Sequence, residues 1–308
     1  MSGGKVLQTL FLQHTGGTSF LPSFLRLLLT LLASLVNETQ SDAFRLTLKR
    51  ITVLTLLACF WTLVMTINQL GFLLDDLFFP SWRHQLVESP IFIIGNARSG
   101  TTLMHKVLCA SNKSSFVSFR LWEILFGQSV VFHSLLCFAF EADAFFGGYL
   151  YYAICRMEGA SYGRVRIHAI GLQEFEEDDW LMLSCGLCQL SLLLFPLTMD
   201  LLGGLIYFDE LPLETRRNVF LYYRKCVQKR LFCAEMTMKK KKMDITSSAS
   251  SFSLCFVAKN PVFTLRLNSL FHFFPDARIV CMVRDPAQSV PSMVSYIGKV
   301  GSWDKQIH

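Results

Sequence analysis

Five residues close together, Arg98, Ser99, Gly100, Thr101 and Thr102, have the types and spacing to hold an anion, and Gly95 bounds the turn that carries them. Glycine lets the backbone approach a ligand closely. A helix that begins just after such a turn presents free N–H groups and the positive end of its dipole, which suits phosphate or sulfate. Arg98 adds a cation inside the turn. Three more residues stand far away in sequence: Lys259, Arg284 and, eight positions after it, Ser292. For proton abstraction the candidates are carboxylates: Glu123, and the cluster Glu174, Glu176, Glu177, Asp178 and Asp179.

The Gly-x4-Gly spacing is that of a Walker A loop. Walker A chemistry needs Lys and then Ser or Thr after the second glycine, for the phosphates and Mg²⁺. Thr101 and Thr102 stand there instead, and the cation sits inside the loop. This counts against a P-loop kinase or NTPase, which remains the second enzyme reading.

Positioning such groups needs a parallel α/β scaffold, and the local pattern supplies one. Ile91 to Ile94 is a short apolar run fit for a buried parallel strand. Thr101 onward reads as a helix with Leu103, Val107 and Leu108 on one face. Ser253 to Ala258 reads as a strand closed by Lys259-Asn260-Pro261. A helix over Phe263 to Phe274 follows, then a second strand over Arg278 to Val283 and Arg284-Asp285-Pro286. Strand, helix and strand within about 30 residues make a βαβ unit and a parallel sheet. Ligands then gather beyond the carboxyl ends of the strands, where the 95–102 loop, Lys259 and Arg284 fall.

Hydrophobic residues make up 52% of the 308, charged ones only 17%, and mean hydropathy is +0.40. That balance calls for a membrane segment. Ile51 to Leu74 is the best candidate, uncharged and long enough to cross about 30 Å of hydrocarbon. Arg45, Lys49 and Arg50 precede it and Asp75 and Asp76 follow, so the positive-inside tendency puts the later domain on the luminal or extracytoplasmic side. Monotopic association is the alternative. Phe20 to Val36 carries Arg26 and reads as an interfacial helix. A net charge of +6 fits an anionic cosubstrate or membrane surface, and no motif points to nucleic acid. The ten cysteines show no framework spacing, and Cys185 and Cys188 read as core thiols.

The domain plan is residues 1–80 with the membrane helix, then 81–308 as the catalytic domain, with a disordered lysine-rich loop at about 239–253. The aromatic-dense stretch 130–157 reads as helices lining a core or an apolar acceptor cleft. The acidic cluster also fits the charged start of a helix beginning at Trp180. His105 is expected to face the nucleotide side or solvent.

The loop string NARSGTTL resembles the 5′-phosphosulfate loop of sulfotransferases that use 3′-phosphoadenosine 5′-phosphosulfate (PAPS), where PRSGTT or PKSGTT follows a strand. Ala97 stands where that family often has Pro. FPDARIVCMVRDPAQSVPSMV is similar to the family's 3′-phosphate motif, and KNPVFTL resembles the Lys-x-Pro strand end of tyrosylprotein and related Golgi sulfotransferases. The lead-in from Asp75 looks like that of a membrane-associated branch. The resemblance implies a P-loop-type parallel sheet flanked by helices, PAPS as cosubstrate and no metal. It implies that Arg98, Ser99, Gly100, Thr101 and Thr102 hold the phosphosulfate, that Lys259 meets the leaving phosphate, and that Arg284 and Ser292 hold the 3′-phosphate. It makes Glu123 the first choice for general base, with Glu176 and Glu177 as rivals. The acceptor, whether carbohydrate, protein tyrosine, lipid or small alcohol, is left open, as is a homodimer. The chain ends about 24 residues after Arg284, where such enzymes continue, so truncation and loss of turnover are the non-enzyme alternative.

Overall fold

The strand Ile91–Gly95 (β1) is buried at every position and sits inside a four-stranded parallel sheet. The structure is a computed structural model, and it describes residues 48–110, 116–162, 171–185, 187–188, 206–243 and 254–306. The expected interfacial helix at 20–36 lies outside these residues, as does most of the apolar stretch 187–205.

Along the chain come α1 (Leu48–Phe78), β1, α2 (Thr101–Ala110), β2 (Phe116–Val117), α3 (Leu121–Leu125), α4 (Val130–Phe145) and α5 (Tyr149–Tyr162). Then follow a 3-10 helix (Asp178–Cys185), α6 (Leu213–Met243), β3 (Cys255–Lys259), a 3-10 helix (Pro261–Leu265), α7 (Leu267–Phe273), β4 (Arg278–Met282) and α8 (Pro286–Gln306). The sheet order is β2-β3-β1-β4. β3 and β4 are therefore not neighbours: each pairs with β1, Ile93 opposite Lys259 on one side and opposite Val280 on the other. This register brings the ends of β1, β3 and β4 to one edge.

Both faces of the sheet are covered, which explains the continuous apolar run of β1. Ile91, Ile93 and Val257 pack against Met104 and Leu108 of α2. Phe92, Ile94, Phe256 and Ala258 point the other way, into the main core with Phe220 and Tyr223 of α6. There Phe92 meets Phe263 and Phe274, each at a ring-centroid distance of 5.6 Å. Each such aromatic side chain, fully buried, contributes about 1.5–3 kcal/mol. Cys185 and Cys188 are buried in this core, as expected of core thiols.

Several local expectations change. α2 turns Leu103 and Val107 outward and buries Thr101 and His105. Periodicity marks opposite faces of a helix but not which one meets the sheet. The helix expected over 263–274 is a 3-10 turn followed by α7, broken at Arg266, which lies fully buried with Nη2 donating to the Leu187 carbonyl at 3.0 Å. The helix expected from Trp180 is the 3-10 segment starting at Asp178. α6 continues through Met243, so the lysine run begins in a helix rather than a loop; Lys239 pairs with Glu235 one turn back at 2.6 Å. Residues 244–253 lie outside the described residues. The 130–157 stretch is helical but does not fill a core: Phe138, Phe145, Phe146 and Tyr149 are exposed.

α1 is long and apolar enough to cross a membrane, yet one face is bound into the domain. Trp61, Val64 and Met65 pack on Leu121 and Leu125 of α3, and Asn68 Nδ2 donates to the Leu125 carbonyl at 2.8 Å. The Asp75 carboxylate accepts from the N–H groups of Val130 and Val131 at the start of α4. Lys229 of α6 meets it at 2.8 Å, with both side chains buried.

Candidate active site

Gly95 ends β1 with φ of +134°, and a Cβ there would lie 2.3 Å from the Met282 carbonyl oxygen. Only glycine lets the loop leave the strand so close to β4. The turn runs to Gly100, at φ of +89°, where a side chain would meet only the tip of Met282. Arg98 sits at φ of +68°, a left-handed conformation that costs a non-glycine residue about 1–3 kcal/mol. Two contacts from α8 and its approach hold it: Arg98 Nε donates to Ser292 Oγ at 3.0 Å, and Arg284 Nη1 donates to the Arg98 carbonyl at 3.0 Å. The Arg98 guanidinium also lies over the Tyr296 ring at 5.8 Å.

Ser99 is buried, and its Oγ has no hydrogen-bond partner among the described residues. A buried hydroxyl left unpaired is costly unless a ligand completes it. α2 starts at Thr101, and Gly100, Thr101 and Thr102 line a cavity of about 420 Å³. Arg98, Arg284, Glu177, Asp179, Trp180 and Tyr296 line it too.

Lys259 ends β3 and is fully buried. Its Nζ donates to Thr102 Oγ1 at 3.2 Å and pairs with Glu177 at 3.1 Å. Both partners line the cavity, so Lys259 stands directly behind its wall. The next residue fixes it: Asn260 donates its N–H to the Ile93 carbonyl and caps the 3-10 turn through Val262 N–H. Asn260 Nδ2 also donates to Asp178 at 3.1 Å. Asp178 is fully desolvated, which pushes its carboxyl up to about 7 against the pull of bonds from Tyr223 and Asn260. Burial, opposed by Lys259 and helped by Glu177, also raises Glu176.

The structure thus brings together Arg98, Ser99, Gly100, Thr101, Thr102, Lys259, Arg284 and Ser292. It does not bring Glu123 to the cavity. Glu123 is a buried residue of α3, accepts from the Arg120 N–H at 2.7 Å, and pairs with Arg230 at 3.1 Å and His133 at 3.3 Å. Burial works to raise its pKa, but Arg230, His133 and the Arg120 amide outweigh burial and hold it low. His105 is likewise inside: it is fully buried, 2.7 Å from Ser118 Oγ, and burial with the nearby Lys259 lowers it to about 3. Of the other wall residues, Asp179 belongs to the acidic cluster singled out from the sequence and Trp180 was marked only as a helix start; Tyr296 was missed. Among the described residues no group of three His, Cys, Asp or Glu is placed to hold a metal ion.

Parallel strands ending at a glycine-bounded loop, with cations from two later strand ends, define a P-loop-like α/β fold. Residues 215–308 match the family model described as Sulfotransferase family. Sulfotransferase STF1 from Mycobacterium tuberculosis H37Rv is similar in structure, with a TM-score of 0.57 and 18% identity, over 92% of this chain and 70% of that one. Sulfotransferase STF9 from Mycobacterium avium is similar with a TM-score of 0.61 and 17% identity, over 98% of this chain and 68% of that one. No curated protein matches the chain in sequence. The sulfotransferase resemblance read from the motifs is carried by the family match over the C-terminal third and by the fold over nearly the whole chain. The likeness to a membrane-associated or Golgi branch stands on the sequence alone.

Proposed function

We propose that the protein is a PAPS-dependent sulfotransferase that transfers a sulfuryl group to an acceptor hydroxyl or amine. The observation that carries this reading is the convergence of Arg98, Arg284 and Ser292 on one loop, with Lys259 held against Thr102 beside it. The family match supports sulfuryl transfer as the reaction class, and the unpaired Ser99 hydroxyl and the amides at the start of α2 fit a bound phosphosulfate.

The chemistry asks little of the protein beyond position and charge. The bond between sulfur and the bridging phosphate oxygen breaks, a bond from the acceptor oxygen to sulfur forms, and the acceptor proton leaves. Negative charge grows on the bridging oxygen. Lys259 is the cation placed to meet it, through the cavity wall it shares with Thr102. Arg98 and the loop amides hold the 5′ end, and Arg284 with Ser292 the 3′-phosphate.

For the proton, Glu177 replaces Glu123. It lines the cavity, its side chain is partly open, and Lys259 Nζ lies 3.1 Å from it. Lys259 then touches both the group that takes the proton and the loop that holds the leaving group. The test is transfer of label from radiolabelled PAPS to a panel of carbohydrate, tyrosyl, lipid and small-alcohol acceptors. Label in one acceptor class, lost in Lys259→Met, supports the reading; tight PAPS binding with no transfer to any class would leave a binding protein instead.

A further inference from the structure

α1 has one face in the protein and the other uncovered. From Trp61 onward its inner face carries the buried Asn68 and Asp75 contacts with α3, α4 and α6. Among the described residues thirteen of α1, from Leu48, precede Trp61. At 1.5 Å per residue they reach about 20 Å, short of the ~30 Å hydrocarbon core. A span confined to Leu48–Phe78 would have to pull its second half off the domain and break the buried Lys229–Asp75 pair, which also holds Lys229 against the rings of Phe72 and Trp82.

The outer face tells a different story. Leu56, Phe60, Leu63, Leu70 and Leu77 are exposed in a stripe along the whole helix. α1 packs beside α4, and α4 beside α5. α4 and α5 are together as apolar as a span but bend by 105° at 146–148. That corner is also uncovered: Phe138 is 69% exposed, Phe145 85% and Tyr149 78%. Contiguous exposed apolar patches mark interaction surfaces. Charge chooses the occupant. Lys239 and Lys240 are exposed in the last turns of α6, and Lys240 reaches Glu141 on α4 at 2.8 Å, which sets the lysines beside the apolar corner. Aromatic side chains flanked by lysines suit the boundary between acyl chains and anionic headgroups.

We propose that α1, α4 and the α4–α5 corner form one surface that lies in a single leaflet of a lipid bilayer. The domain then rests on the membrane in its plane instead of hanging from a spanning helix. This rests on no feature of the donor site.

The test is flotation of the full chain with phosphatidylcholine vesicles, with and without phosphatidylserine. Near-UV circular dichroism and thermal unfolding serve as the check on folding. Wild type is expected to float, more so with phosphatidylserine. Phe138→Glu/Phe145→Glu should reduce apparent partition at least ~10-fold while keeping its spectrum. Lys239→Gln/Lys240→Gln should lose only the phosphatidylserine enhancement. Flotation of the Phe138→Glu/Phe145→Glu variant equal to wild type, as a spanning α1 would give, overturns the proposal. So does a wild-type chain that stays at the bottom of the gradient, or one that buries the corner in a dimer or under its own residues 20–36.

Discussion

Arg98 Nε and Ser292 Oγ lie 3.0 Å apart across 194 residues of sequence. One belongs to the glycine-bounded loop after β1, the other to the helix after β4. Their contact means that the two sides of the candidate site are built as one unit, with Arg284 completing it through the Arg98 carbonyl. The left-handed Arg98 is held from α8, so the 95–102 loop depends on that helix for its shape.

Groups in contact do not act independently. Arg284→Ala removes a charge-assisted contact and is expected to weaken 3′-phosphoadenosine 5′-phosphate binding by roughly 10–100-fold. Ser292→Ala and Arg98→Ala should each weaken it too, and the double variant by less than the product of the two. Calorimetric titration of the four proteins closes this cycle; strictly multiplicative losses would deny the coupling.

Lys259 is predicted to act on turnover more than on binding. Lys259→Met should reduce kcat by ~10²–10³, the range for removing one donor aimed at developing charge. Nucleotide affinity should change by only a few fold. Single-turnover assays separate the two, and a loss confined to affinity would reassign Lys259 to ground-state holding.

The two glutamates make opposite predictions. Glu177→Gln should bind nucleotide normally and fail in turnover, with a smaller loss of stability than Glu123→Gln: it leaves the buried Lys259 without its carboxylate, but Glu177 itself is partly open. Glu123→Gln leaves Arg230 and His133 without their buried partner, and breaking such a pair costs about 3–5 kcal/mol of stability. Its folded fraction should keep wild-type kcat. Thermal melts and active-site-normalised rates distinguish them, and full turnover by Glu177→Gln would move the base elsewhere in the acidic segment.

His105 gives a pH signature. Its folded pKa is lowered from 6.5 to about 3 by burial and by Lys259. The unfolded chain therefore binds a proton that the folded chain refuses, so stability is full above pH 6.5 and is lost as pH falls toward 3. His105→Gln should flatten that part of the stability profile in denaturant titrations at stepped pH. An unchanged profile would place the acid sensitivity in other groups.

The sequence made the loop and the strand ends legible because their chemistry demands particular residues at fixed spacings: Gly100 before a helix, Lys259 and Arg284 after apolar runs. Which carboxylate faces the cavity was not legible: Glu123 and Glu177 both follow the loop helix, and the fold shows that Arg230 and His133 close over one while the cavity opens on the other. The stretch 130–157 is helical as expected, and Val130 is in a core, but several of its aromatic side chains are exposed. Apolar periodicity says that a surface must be covered, not what covers it. The lysine run joined α6 because lysine is a good helix former and Glu235 pairs with Lys239.

In the proposed function the 95–102 loop with Arg98 binds the donor. Equilibrium binding of radiolabelled PAPS to wild type and to Arg98→Ala tests this most directly. Saturable binding by wild type is expected, competed by 3′-phosphoadenosine 5′-phosphate, with a loss of at least ~10-fold in the variant, as for one charge-assisted contact removed. Equal binding by the two proteins would contradict it.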